Sequence, residues 1–296
     1  GIVCYDMSGE LLFQLNARGQ GPGEYTDINA FAVNASLHQL VIYDNMKQSL
    51  MFYSTEDGRF VKSEKFNKPT PAEIAYWGGY FFYHNRLHRN YQDDISLHYY
   101  LLASKDGITI GKRYFKHENN KEDYPFSPSG HNLYDNNSKL YYCRDFDNIV
   151  YQIHEDSVVP RFRINLPNPL PASMIEERPN EMSLLRSGYS LGITDIYEYG
   201  GLLFFRFVKD GYIWSCLYNV EESKQVYCAK RIKFLDSSLI DTIDGIYKDC
   251  FYSILTPEYL DYAFSENPLE DYPDLFKTYD VEGDNPVIAF YRAVVR

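Results

Sequence analysis

The sequence predicts an all-β fold, a six-bladed β-propeller built of four-stranded antiparallel blades. Three observations lead there: an aromatic-rich composition, a unit of short strand-like pieces that recurs along the chain, and turn signals between the pieces. Aromatic residues supply 17% of the 296 positions, 29 of them Tyr. Tyr and Phe favour pleated, half-buried strands, whereas helical bundles rest mainly on Leu and Ala. Four strands in a unit of roughly 40 residues is the pattern of a propeller blade.

In chain order, the opening "GIVCYDMSGELLFQL" reads as the third and fourth strands of a copy, with Ser8-Gly9 as its hairpin. The first full unit is "AFAVNASLHQLVIYDNMKQSLMFYSTEDGRFVKSEKF", Ala30 to Phe66. It divides into strand-like pieces at Ala30 to Val33, Leu40 to Tyr43, Leu50 to Tyr53 and Phe60 to Phe66. Asp57-Gly58 marks a hairpin, because that pair tolerates positive φ. "YFFYHN" (Tyr80 to Asn85) then matches "LVIYDN", and Leu97 to Phe115 matches the second half of the unit. Further copies run from Lys139 to Leu166 and from Gly201 to Phe234; a last one begins at Gly245 and finishes in "NPVIAFYRAVV". Five copies and a terminal half-copy favour six blades, with N-terminal strands joined to the chain's end to close the ring and remove exposed edges. A sandwich would not repeat in fours with matching turns. The chain reads as one domain, 1–296, with insertions at about 167–188 and 256–280.

Between the half-copy and the first unit lies "ARGQGPGEYTDI", where Gly19, Gly21, Pro22, Gly23, Glu24 and Tyr25 crowd together. A dinucleotide fingerprint needs G-x-G-x-x-G opening a helix, and a phosphate loop needs G-K-[ST]. Here the spacing is G-x-G-x-G, no basic residue follows, and the next stretch is strand-like. An anion cradled by the glycine N–H groups beside Arg18 is the lesser alternative. The segment reads instead as a structural inter-blade crossover. It spans three inter-strand spacings, about 14 Å at ~4.8 Å each. Gly21-Pro22-Gly23 suits a type II turn, with Glu24 and Tyr25 as anchors.

The residues from "GELLFQLNARGQGPGEYTDINAF" to "STEDGRFV", and the closing "DNPVIAFYR" (Asp284 to Arg292), resemble the six-bladed β-propeller proteins of gut Gram-negative anaerobes, themselves akin to NHL-repeat propellers. The likeness is strong over residues 9–66 and weaker beyond. It implies a secreted protein or lipoprotein of the cell envelope, periplasmic or at the outer membrane. It supplies architecture and address rather than mechanism. The chain begins inside a strand pattern without an initiator Met, as expected after removal of a signal peptide or any truncation. A lipid anchor upstream of Gly1 fits the same resemblance.

Lys and Arg number 29 against 41 Asp and Glu, a formal charge of −12. That argues against a duplex nucleic-acid partner, whose binding rests on neutralising phosphates. No run approaches the ~18 apolar residues of a membrane span. Cys4, Cys143, Cys216, Cys228 and Cys250 are scattered through apolar runs and read as small hydrophobes rather than a disulfide framework. A Cys216–Cys228 bridge across a hairpin is the less favoured alternative.

Candidate sites are few. Tyr259, Tyr262, Phe264 and Tyr272, in the second insertion, are the aromatic group best placed to stack on a sugar or peptide. The competing reading is that both insertions only pack against a blade. His84, His88 and His98 flank or occupy one hairpin loop with Asp93 and Asp94, residue types that hold divalent metals. They match no established ligand spacing, and loop His and Asp are usually solvated. No catalytic motif stands out, and no cofactor is expected. The functional expectation is a non-catalytic, ligand- or protein-binding propeller of the bacterial envelope, taking a glycan, a peptide or an envelope protein. The alternative is a propeller enzyme, a metal-dependent hydrolase or carbohydrate lyase, with its site at the channel mouth.

Overall fold

The computed structural model describes residues 1–66, 70–86, 98–117, 127–128, 130–230, 243–266, 278–280, 282–283 and 285–292. They form two compact units. The first comprises Gly1–Pro125 with Ile153–Val159, and the second Phe126–Gln152 with Pro160–Arg296.

In the first unit, β1 (Ile2–Tyr5) and β2 (Leu11–Leu15) form a two-stranded sheet. Sheet one follows in chain order with β3 (Ala30–Asn34), β4 (Gln39–Asp44), β5 (Ser49–Ser54) and β6 (Phe60–Lys65). Sheet two is β7 (Pro71–Trp77), β8 (Tyr80–Asn85), β9 (Tyr99–Ser104) and β10 (Lys112–Lys116). Both faces of sheet one are occupied. Ala30, Val41, Tyr43, Leu50 and Phe52 pack with Ile74, Phe81, Tyr83 and Leu102 of sheet two. Leu40, Ile42, Met51 and Tyr53 pack with Leu15, Tyr25, Ile2 and Phe13 on the other side. That double burial is why β4 and β5 read as continuous apolar runs rather than alternating ones.

In the second unit, sheet three is β11 (Leu133–Asn136), β12 (Lys139–Tyr142), β13 (Ile149–Ile153) and β14 (Val158–Arg163), its last turn lying in the first unit. Helices α1 (Ala172–Glu176) and α2 (Glu181–Leu185) occupy the first insertion. Sheet four is β15 (Ser190–Tyr199), β16 (Leu202–Lys209), β17 (Tyr212–Asn219) and β18 (Lys224–Ala229). Sheet five has three strands, β19 (Gly245–Tyr247), β20 (Cys250–Leu255) and β21 (Val287–Tyr291), with α3 (Pro257–Glu266) between the last two. The first strands converge within this unit: β11 lies against β15 and β19, and β15 against β19.

These are the antiparallel blades of an all-β propeller, but they number five among the described residues rather than six. The sixth required β1 and β2 to serve as outer strands beside the chain's end. Among the described residues the β1–β2 hairpin forms a two-stranded sheet with no strand from the chain's end in it, and β20 pairs with β21 from Leu255↔Val287 to Phe251↔Tyr291 in a separate three-stranded sheet.

The many tyrosines are explained by the core. Tyr43, Tyr53, Tyr83, Tyr141 and Tyr142 are among the largest fully buried side chains. A buried phenol is tolerable when its hydroxyl finds an acceptor. Tyr53 donates to the Gly23 carbonyl at 3.1 Å and Tyr83 to that of Gly107 at 2.6 Å. Burial pushes the Tyr53 hydroxyl up to about 12, so it stays a donor at any physiological pH.

The less favoured disulfide is present. Cys216 and Cys228 stand directly opposite each other in β17 and β18 and are bonded. Cys143 remains a buried thiol, raised well above its ordinary value by burial and the nearby Asp147 and Asp145. The bridge ties the outermost strand of sheet four, which the hydrophobic cluster covers only in part. Closing a loop with a sequence separation of 12 removes denatured-state freedom that amounts to about 2–3 kcal/mol. Urea unfolding followed by Trp fluorescence is expected to show a loss of that order on reduction, because Trp214 lies on the same hairpin.

Candidate functional site

The glycine-rich crossover between β2 and β3 already holds an anion, the carboxylate of Glu24. Its Oε2 accepts the Gly21 N–H at 2.8 Å. A Cβ on Gly19 would sit 2.0 Å from the same oxygen, so glycine is required there to admit the acid. Gly21 and Glu24 close a turn through Glu24 N–H and the Gly21 carbonyl at 3.2 Å, with Gly23 at φ +79. Gly19 N–H donates to the Tyr25 carbonyl, Tyr25 N–H to Ala17, and the Tyr25 hydroxyl to Leu15. Lys47 Nζ donates to the carbonyls of Gly21 and Glu24. Asp44, at the end of β4, accepts from Thr26 N–H at 2.6 Å and Lys47 N–H at 2.9 Å. Burial alone would raise the Asp44 carboxyl; the hydrogen bonds from Thr26 and Lys47 outweigh it and hold it low. Nothing is left for an external phosphate to replace without expelling the chain's own acid.

The histidine group divides. His84, in β8, is buried, whereas His88 lies outside the described residues. His98 precedes β9, and its carbonyl accepts the His117 N–H at 2.8 Å. Among the described residues no three metal-binding side chains converge. His117, which stacks on Tyr100 at 3.6 Å between ring centroids, is the histidine felt electrostatically by His84. Burial first, then the charges of Arg86 and His117, bring His84 down to about 3, so it is a neutral imidazole at physiological pH.

The aromatic group in the second insertion is likewise divided. Thr256 precedes α3, its hydroxyl accepting the Tyr259 N–H at 3.3 Å. Tyr259 and Phe264 pack, partly buried, in a cluster with Leu255, Leu260, Ala263, Val287, Ala289 and Tyr291. Tyr262 points outward at 56% exposure, and Tyr272 lies outside the described residues. The helix therefore covers one face of sheet five and spends two of its aromatics doing so.

Among the described residues, the opposite face of sheet five is exposed. Cross-strand pairs Ile254↔Ile288 and Tyr252↔Phe290 line it. Tyr247 and Tyr252 approach Phe290 at 5.9 and 6.3 Å between ring centroids. Ile254, Ile288 and Phe290 remain 45%, 52% and 43% exposed. A contiguous apolar patch of this kind marks an interaction surface more often than scattered apolar residues do. Sequence reasoning passed over it although "NPVIAFYR" was in view. The signal was that VIAFY is apolar at every position, so both faces of β21 carry apolar side chains while α3 packs on only one of them.

Near one end of this face the converging first strands bring polar groups together. Asp135 of β11 is open to solvent yet recessed, and desolvation raises its carboxyl. Tyr252 is raised by burial, then by the charges of Asp244 and Asp135. A Cβ on Gly245 would lie 2.5 Å from the Tyr252 hydroxyl, so the glycine makes room for that ring to cross β19. Beside them, Asp195 in β15 adopts φ 52 and is gripped by Arg206 at 2.7 Å. Tyr197 donates to the Asp244 carbonyl at 2.9 Å.

Two outcomes follow. Replacing Glu24→Ala orphans the Gly21 N–H and is expected to cost about 1–3 kcal/mol in urea unfolding, with Glu24→Gln losing less because its amide oxygen still accepts. For His84, the unfolded chain takes up a proton near pH 6.5 that the folded chain refuses down to about 3. Stability therefore falls as pH drops through that window, by about 1.4 kcal/mol per unit. His84→Gln is expected to flatten the slope of unfolding free energy between pH 6.5 and 5.5, above the range where ordinary carboxylates titrate.

A structure of a Bacteroides fragilis protein described as exported superposes with a TM-score of 0.74 at 17% identity, covering 97% of this chain and 82% of its own. A DUF4221 family member from Bacteroides vulgatus aligns at a TM-score of 0.47 and 12% identity, over 77% of this chain and 73% of its own. BamB from Moraxella catarrhalis aligns at 0.40 and 8%, over 74% and 53%. No curated protein matches the sequence. The family described as a domain of unknown function, DUF4934, matches residues 1–292, and the chain belongs to it.

Proposed function

We propose that this chain is a non-catalytic binding propeller of the bacterial cell envelope, whose ligand contacts the open face of sheet five. The observation that carries this reading is the uncovered row of Ile254, Ile288 and Phe290 flanked by Tyr247 and Tyr252. Aromatic rings on a rigid sheet suit stacking against a sugar ring or packing against peptide side chains. The Cys216–Cys228 bridge supports an address outside the cytoplasm, since structural disulfides persist in oxidising compartments. The Bacteroides fragilis protein described as exported favours the same address, with a lipid anchor upstream as one means of retention. Tyr262 offers a second, smaller contact point on α3.

The enzyme reading has one observation in its favour, the raised Asp135 carboxyl next to Tyr252, an arrangement able to exchange protons with a sugar substrate. Turnover of an oligosaccharide panel that vanishes in Asp135→Asn would replace the binding reading with that one.

The test of the binding reading is a glycan and peptide array probed with the wild-type chain and with Phe290→Asp. A ligand held by this face is expected to lose at least tenfold in affinity, about 1.4 kcal/mol, on that change while Tyr262→Ala retains it. A ligand indifferent to Phe290→Asp would sink the assignment of the site.

A further inference from the structure

We propose that this face of sheet five binds the end of a neutral oligosaccharide, the hydroxyls of the terminal sugar meeting Asp135 and Tyr252 while the next sugar ring lies on Phe290. The inference rests on the binding reading above and names the class of ligand.

The first argument is geometric. Gly245, Tyr252 and Phe290 stand in line across β19, β20 and β21. Tyr252 links the other two. Its ring centroid lies 6.3 Å from that of Phe290, and its hydroxyl reaches back over Gly245, where a Cβ would sit 2.5 Å away. Strand β11, which carries Asp135, packs against β19, and the Asp135 charge is felt at the Tyr252 hydroxyl. The surface therefore changes character along its length. It is apolar at Ile254, Ile288 and Phe290, and polar where Tyr252 and Asp135 meet.

The second argument is unmet hydrogen bonding. Tyr197 nearby spends its hydroxyl on the Asp244 carbonyl at 2.9 Å. Among the described residues the Tyr252 hydroxyl has no such partner, and the Asp135 carboxyl receives only the backbone N–H of Asn137. Neither lysine nor arginine stands at either group. Other acids of this unit are served differently: Asp195 is held by Arg206, and Glu198 by Lys139 and Arg161. Yet Asp135 and Tyr252 are both partly withdrawn from water. Polar groups in that state gain most from a ligand that bonds them.

The chemistry of the pair selects the ligand. A phenol holds one donor and an acceptor oxygen; a carboxyl only accepts when ionised and also donates when protonated. Each hydroxyl of a sugar both donates and accepts, so a vicinal pair satisfies the two groups in either state. An ammonium only donates, which leaves the phenol proton without an acceptor. The C–H face of the following pyranose then packs on Phe290, whose ring is exposed.

The probes are neutral gluco-, manno- and galacto-tetrasaccharides, each beside a version whose terminal sugar is O-methylated, with a glucosamine tetramer and a lysine-rich peptide as cationic counterparts. Calorimetry measures their binding to the wild-type chain, Asp135→Asn, Tyr252→Phe and Phe290→Asp. The proposal expects at least one neutral tetrasaccharide to bind and to lose about tenfold or more in affinity on each substitution. It expects terminal O-methylation to cost the wild-type chain about as much, and to cost Asp135→Asn little further, a difference that a merely structural defect does not produce. The O-methylated sugars need no variant, so the test stands even where one fails to fold.

A ligand that responds to Phe290→Asp but ignores Asp135→Asn, Tyr252→Phe and terminal methylation would overturn the role of the polar end and leave the binding face standing. Binding of the glucosamine tetramer or the peptide with no neutral sugar bound would overturn the ligand class. So would a failure of every probe to bind. A neutral sugar held without regard to Phe290 would remove the face itself, and both readings with it.

Discussion

The structure depends on side-chain oxygens that take over where the strand ladders stop. A four-stranded blade satisfies its own backbone along the strands, but each hairpin and crossover releases N–H groups that have no partner in the ladder. Asp44 collects those of Thr26 and Lys47, Asp106 those of Ile108 and Thr109, Asp147 those of Asn148 and Ile149, and Asp244 that of Ile254. The Asp106 carboxyl is held far below its ordinary value; desolvation opposes this, and the Thr109 and Ile108 N–H groups prevail. These four carboxylates are structural, acceptors aimed at backbone.

The same device joins one blade to the next. Asn29 donates its amide to the Pro71 carbonyl at 2.6 Å, linking the start of sheet one to the start of sheet two. In the second unit Asn136 donates to the Ile196 carbonyl at 3.0 Å and accepts the Glu198 N–H at 2.6 Å. Glu198 then gathers Lys139 at 2.8 Å and Arg161 at 3.0 Å, and accepts the Tyr141 hydroxyl. An acid ringed by two cations and a phenol keeps its charge despite desolvation, and its carboxyl is lowered on balance. Blade packing here combines apolar side chains between the sheets with a polar clasp at the strand ends.

How much was legible follows from these facts. Second and third strands such as β4, β5, β16 and β17 are apolar on both faces and stand out as runs. First strands are harder to see. β15 contains Gly192 at φ 98 and Asp195 at φ 52, with two shifts of register, so its ten residues show no clean alternation. Gly192 is fixed by a contact no local pattern reveals, since a Cβ there would lie 2.7 Å from the Phe146 backbone. Blade number was misjudged because a repeat gives the number of copies, not the pairing of the terminal strands. The disulfide was not legible from the turn alone: Cys216 lies five residues before Glu221 and Cys228 six after Glu222, and only the register shift between Leu217 and Tyr218 sets them opposite. Of the candidate site, Phe290 and Ile288 were visible as a strand, while their exposure depended on which face α3 would cover.

The crossover loop has a consequence for how this family varies. Glu24 fills space that a side chain at position 19 or 21 would otherwise take, and Lys47 Nζ donates to the Gly21 and Glu24 carbonyls. The positions are therefore not independent letters. A lineage that loses the acid at 24 is freed from glycine at 19 and 21, and one that gains a side chain at 19 has no room for the acid. Substitutions at these positions are therefore coupled through the space that the Glu24 carboxyl occupies.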